Sequence, residues 1–169
     1  FLHRYSGGVP LPTAAMISTV YTITSLQYCY FARDASLSGF YHAGAAADAG
    51  AAGLALFCAG QAGNFWHHKL LADLRAADGG GGGRGGGGNK KAYVVPRGGL
   101  FELVAAPHYF FEIVAWLGLA LATQCAVPLV ACAGMASYLA GRSASTRRWN
   151  EANIPGYPTG RKRLVPFVW

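Results

Sequence analysis

His108 and Glu112 lie four residues apart in an otherwise apolar run, Pro107-His-Tyr-Phe-Phe-Glu-Ile-Val-Ala-Trp116. On a helix that spacing puts them on one face, roughly 6 Å apart along the axis. An ionisable pair in lipid-soluble sequence costs roughly 2.5 to 3.5 kcal/mol per charge on insertion scales, and it usually faces a cavity or a partner. The pair is therefore a candidate site. A second polar face is formed by Asn64, His68 and Arg75, which recur at four and seven residues and extend over roughly 16 Å of helix. An elongated, anionic ligand lying along the helix would suit it. The competing reading is that His67-His68 beside Trp66 is an interfacial pair, with Lys69 and Arg75 as head-group anchors.

The elements that must position these residues are apolar helices. With 53% apolar and 12% charged residues, the chain is too poorly charged for an ordinary soluble domain. Val9 to Phe31 is nearly uncharged and long enough to cross a bilayer, for which about 20 helical residues are needed. Ala43 to Trp66, His108 to about Thr123 and Gln124 to Ala140 read as three more spans. The expected fold is all-α, a polytopic membrane bundle of about four transmembrane helices. Ala and Gly in the second span favour close helix approach, and the hydroxyls of the first, Tyr21 among them, read mainly as helix-packing groups. Cys29, Cys58, Cys125 and Cys132 have no paired spacing and read as buried, small, apolar thiols rather than a disulfide framework or metal site.

The net charge of +7 is concentrated in three regions: His3-Arg4, Lys69 to Arg97, and Arg142 to Arg163. Basic excess marks cytoplasmic loops, so all three fall on one side and both ends of the chain are expected to be cytosolic. No groove-reading or aromatic-interleaved motif accompanies the charge, which speaks against nucleic acid as a partner. The glycine-rich loop at 78–90 lacks the GK[ST] ending and flanking strand of a phosphate loop and reads as a flexible connection. Tyr93 and Arg97 fall near the cytosolic mouth. The last span is expected to end at Gly141, leaving 142–169 as a cytosolic tail in which Thr146 to Asn150 could continue a helix. Its end, from Arg161-Lys162-Arg163 to Trp169, suits either phosphate groups or an anionic lipid surface. No secretory signal precedes the first span, and the chain reads as the downstream part of a longer polypeptide.

Several stretches together resemble one family. They are Gly63-Asn64 to Leu74-Arg75; Tyr93-Val-Val-Pro-Arg-Gly-Gly-Leu-Phe-Glu-Leu-Val; His108-Tyr-Phe-Phe-Glu112 with Trp116-Leu-Gly118; and Tyr157-Pro158-Thr-Gly-Arg161-Lys162 with Pro166-Phe167. Their order and spacing resemble the C-terminal domain of the steroid 5-alpha-reductase family. Phe1-Leu-His-Arg-Tyr-Ser-Gly and Thr123-Gln124-Cys125 are also similar to its trans-2-enoyl-CoA reductase branch.

The resemblance implies a multi-pass endoplasmic-reticulum enzyme that uses NADPH to reduce a carbon–carbon double bond conjugated to a carbonyl in a lipid, either a 3-oxo-Δ4-steroid or a 2-enoyl-CoA. Carried over by position, Asn64, His68, Arg75, Tyr93, His108, Glu112 and Arg142 fall where the family contacts the cofactor. This chain departs from the pattern at His68, where steroid reductases carry an acid, at His108, where they carry asparagine, and at Asn150, where a tyrosine is common. Two other readings are a catalytically silent membrane protein of the same fold and a membrane methyltransferase with a related helix arrangement.

Overall fold

The computed structural model describes residues 10–31, 46–77, 93–124 and 126–169. They form four α-helices: α1 (Leu11–Phe31), α2 (Ala46–Ala77), α3 (Pro107–Thr123) and α4 (Ala126–Asn153), with a 3-10 turn at Gly99–Glu102 between α2 and α3. Among the described residues the architecture is all-α; its one strand-like feature is an isolated parallel bridge between Val104 and Lys162. The loop at 78–90 and Cys125 lie outside the described residues.

Prolines mark three of the helix starts. Pro12, Pro107 and Pro128 each sit in the first turn of a helix, where a missing N–H breaks no intrahelical bond. Gln124 closes α3 in the left-handed region at φ 52, with its N–H on the Ala120 carbonyl at 2.9 Å.

Two helices run beyond their apolar spans, α2 as the Asn64–Arg75 face requires. α2 passes Trp66 and reaches Ala77, with Lys69 paired to Asp73 one turn on. α4 continues through Gly141 to Asn153, so the expected tail begins with three more helical turns. Ser143 and Ser145 return their hydroxyls to the Ala140 and Gly141 carbonyls. Arg147 and Glu151 then form a pair at 2.7 Å with the one-turn spacing that supports a helix.

Among the described residues, no helix is long and apolar enough to cross a membrane, which corrects the reading of four spans taken one helix at a time. Thr13, Thr19, Thr22, Thr24 and Gln27 dilute the apolar character of α1. α3 has only 17 residues, fewer than the roughly 20 that cover a hydrocarbon core. In α2 and α4 the polar extensions adjoin short apolar segments.

The chain divides into two compact units. One comprises the described residues of Tyr5–Ala62 and Phe111–Tyr138; the other holds Gly63–Phe110 and Leu139–Trp169. In the first, α2 and α3 meet backbone to backbone. A Cβ added at Gly53 would lie 2.2 Å from the Ala122 nitrogen, one at Gly60 2.5 Å from the Ala115 nitrogen, and one at Gly118 2.3 Å from the Phe57 nitrogen. The expected close approach of an Ala- and Gly-rich helix is present, with glycine at the contact points. The exposed Cys29 and Cys58 depart from the expected buried thiols; Cys132 is buried, with its Sγ 3.8 Å from the Ile113 carbonyl.

The second unit is built around the connection between α2 and α3. Phe101, Val104, Ala105 and Ala106 are all less than 5% exposed, and Ile154, Tyr157 and Leu164 from the end of the chain are buried in the same unit. The segment before α3 and the segment after α4 thus supply its core.

Gly118→Ala is expected to lower thermal stability by about 1 to 3 kcal/mol, because only backbone surrounds the added methyl. Gly134→Ala, with nothing within 4 Å of its Cβ, should be neutral or slightly stabilising. Thermal unfolding of the two variants side by side checks this; equal midpoints would contradict the packing.

Candidate functional site

The site unit starts from Pro96-Arg97-Gly98-Gly99. Gly98 and Gly99 hold φ values of 91 and 53, which glycine adopts without steric penalty. At Gly99 an added Cβ would stand 2.7 Å from His67 Nε2. The glycine pair therefore lets the loop lie directly on an imidazole of α2.

His67 joins the two segments. Its Nδ1 lies 2.6 Å from the Gly63 carbonyl, and its Nε2 accepts the Leu100 N–H at 3.1 Å. This pattern requires the Nδ1–H tautomer. Phe101 packs edge-on against the ring at 5.6 Å between centroids. His67 is only 5% exposed, which corrects its reading as half of an interfacial pair. Its neighbour His68 is half-buried.

Glu102 and Arg161 close the loop from the other side. The Gly98 N–H donates to one carboxylate oxygen at 3.0 Å, and Arg97 and Arg161 approach the other at 3.3 and 3.4 Å. The Gly98 N–H foremost holds the Glu102 carboxyl below the usual carboxylate range; desolvation opposes it, and the charges of Arg161 and Arg97 add to the lowering. Arg161 is 2% exposed and also donates to the Pro96 carbonyl at 2.9 Å.

Main-chain bonds on either side of that contact, Lys162 N–H to Leu103 at 2.7 Å and Ala105 N–H to Lys162 at 2.8 Å, fasten the tail to the loop. Arg147 adds a bond from α4 to the Thr159 carbonyl at 2.9 Å. Arg161, which the sequence offers as a phosphate or lipid ligand, instead serves the fold. No local sequence pattern signals this, because its partners lie 59 and 65 residues away.

On this frame the candidate residues take their places. The Asn64 amide donates to the His108 carbonyl at 2.9 Å, and the His68 and His108 rings lie 4.8 Å apart. Asn64 and His68 from α2 and His108 from the first turn of α3 are thus brought together. Tyr93 meets Trp149 of α4 edge to face at 4.7 Å. Arg142 is exposed on α4 in the same unit. Arg75 lies on α2, but its side chain is outside the described ones.

Glu112 belongs to the other unit, where the Tyr21 hydroxyl donates to its carboxylate at 2.8 Å and Tyr21 stacks on Trp116 at 6.3 Å. The partner expected for a carboxylate in apolar sequence is therefore a hydroxyl of α1, and Tyr21 does act between helices. Among the described residues no group of three His, Cys, Asp or Glu is placed to hold a metal.

The resemblance implies a nicotinamide dinucleotide, and the site unit carries groups of the kinds such a cofactor would need. Asn64, His68 and His108 carry amide and imidazole groups of the kinds that would hydrogen-bond a carboxamide or ribose. The exposed Tyr93–Trp149 pair offers an aromatic surface for a base, and the guanidinium of Arg142 suits phosphate.

Comparison with known proteins places this geometry in context. A family profile described as 3-oxo-5-alpha-steroid 4-dehydrogenase matches residues 9–169. The chain is 42% identical over 76 residues to "3-oxo-5-alpha-steroid 4-dehydrogenase 1" of Rattus norvegicus, covering 45% of this chain and 29% of that protein. It is 37% identical over 124 residues to "Steroid 5-alpha-reductase DET2" of Gossypium hirsutum, covering 70% of this chain and 42% of that one. The Solanum lycopersicum protein of the same name is 33% identical over 118 residues, covering 69% and 41%. The matched segment spans less than half the length of each of these relatives.

Because the folded-state carboxyl of Glu102 is depressed, its contribution to the loop is complete above the ordinary carboxylate value near 4.3 and is lost as pH falls through the lower folded value. Amide protection factors at 98–102 should therefore hold from neutral pH down to about 4.3 and fall in stronger acid, and Glu102→Gln should remove the pH dependence. Protection that is insensitive to acid in the parent chain would contradict this. Arg161→Lys should destabilise by about 1.5 to 3 kcal/mol in thermal unfolding, since one ammonium cannot reproduce the fork that reaches Pro96 and Glu102 together. An unchanged midpoint would show that the fork is not needed.

Proposed function

The chain belongs to the 3-oxo-5-alpha-steroid 4-dehydrogenase family, and from that membership we propose that it is the cofactor-holding part of an oxidoreductase using NADPH to reduce a carbon–carbon double bond conjugated to a carbonyl in a lipid. A 3-oxo-Δ4-steroid is the substrate class favoured by the names of the rat and plant relatives. A 2-enoyl-CoA is the alternative suggested by the likeness of 1–7 and 123–125 to the enoyl-CoA reductase branch.

The observation that carries the reading is the meeting of Asn64, His68 and His108 in one unit. Three of the residues at which the family contacts its cofactor come from two different helices, yet they converge. When bound, NADPH supplies a hydride to the β carbon of the enone. Asn64, His68 and His108 would hold its uncharged end, Tyr93 beside Trp149 its base, and Arg142 with Arg75 its phosphates. Glu112 enters the proposal through the resemblance. Conjugate reduction also needs a donor at the carbonyl oxygen, where negative charge develops. Asn150 is buried and carries an amide where the family commonly has a phenol, so the proposal assigns no residue of this chain to that step.

The proposal places the protein in the endoplasmic-reticulum membrane. The exposed apolar side chains of α1, among them Leu11, Val20 and Leu26, and the exposed Phe65 and Trp66 of α2 support contact with lipid. In a bundle, helices that fall short of a span singly can still be embedded together.

NADPH titration of the membrane-reconstituted protein tests the reading. Asn64→Ala and His68→Ala should each weaken binding roughly tenfold, the effect of losing one hydrogen bond of about 1.4 kcal/mol. Unchanged affinity in both variants, or no NADPH binding at all, would reject it.

A further inference from the structure

Residues 164–169 form a closed loop of which only Leu164 enters the core. The Trp169 carbonyl accepts the Leu164 and Val165 N–H groups, both at 2.9 Å, and the Trp169 N–H returns to the Val165 carbonyl at 3.1 Å. Leu164 roots the loop at 3% exposure, while Phe167 and Val168 stand out at 77% and 74%. Phe167 does so in the left-handed region at φ 65, which disfavours a bulky side chain. A fold gains nothing from a strained backbone that lifts a phenyl ring into water, and such strain often marks a functional contact.

The charges beside the loop define the contact. Lys162 and Arg163 are exposed, the Arg163 guanidinium lies 5.0 Å over the Trp169 ring, and 152–169 contain no acidic residue. Arg161 is spent inside the fold. What remains outward is two cations beside three apolar side chains, one of them Trp, the composition that settles at the boundary of an anionic bilayer. The main-chain bonds of Lys162 to 103–105 hold this surface rigidly to the loop bearing Glu102.

We propose that Lys162, Arg163, Phe167, Val168 and Trp169 form a docking surface for anionic phospholipid, with the apolar side chains entering the head-group boundary and the cations meeting the phosphates and carboxylates. The proposal deepens the membrane reading above and does not depend on the reductase reading.

The test uses the full chain with two vesicle preparations of one composition, phosphatidylcholine with phosphatidylserine. Bromine is carried on the acyl chains of one lipid or of the other. The emission lost on Trp169→Phe isolates Trp169. Its quenching should be stronger with bromine on phosphatidylserine, each basic side chain contributing roughly a fivefold preference. The double variant Lys162→Ala/Arg163→Ala should equalise the two preparations. Equal quenching in the parent chain would overturn the anionic preference. No quenching in either, while the chain floats with the vesicles, would overturn the docking surface and leave the membrane reading standing. A chain that does not float would overturn both.

Discussion

The interaction on which the site unit depends is the buried guanidinium of Arg161, held between the Pro96 carbonyl and the Glu102 carboxylate. A buried cation without partners is strongly destabilising. Here the fork finds one oxygen on each side of the glycine pair, so the loop can take only the shape that supplies both. Gly98 and Gly99 provide the backbone angles for that shape, and His67 occupies the space that the missing side chain of Gly99 leaves. The 96–105 segment ahead of α3 becomes a rigid wall, and the tail is sewn to it.

Rigidity here bears directly on the candidate residues. Asn64 and His68 lie within one turn of His67 on α2, and His108 begins α3 immediately after the buried 104–107 segment. Fixing the loop on His67 fixes the spacing between this part of α2 and the start of α3. The Asn64 bond to the His108 carbonyl and the contact of the two imidazoles follow from that spacing. In the other unit a different device serves: glycines let backbones touch, and a tyrosine of α1 meets the one carboxylate of α3.

The helices were legible in the sequence because apolar stretches bounded by proline and glycine carry their own local signal. Their lengths were less so. α4 runs on past Gly141, where the Arg147–Glu151 pair supports it, and a hydropathy reading stops where charge begins. The pairing of Asn64 and His68 on a face could be read from spacing, and the need of Glu112 for a partner from its apolar setting. The partner itself could not, since Tyr21 stands 91 residues away. Arg161 and His67 were misread for the same reason: each looks like a surface group locally, and only long-range contacts bury it.

Amide hydrogen exchange of the reconstituted protein with and without NADPH tests most directly whether this rigid unit holds the cofactor. The account predicts slowed exchange confined to the neighbourhoods of 63–68, 93 and 107–110, with the 98–102 loop already protected before the cofactor is added. Exchange unaltered at those segments, or slowed only elsewhere in the chain, would contradict it.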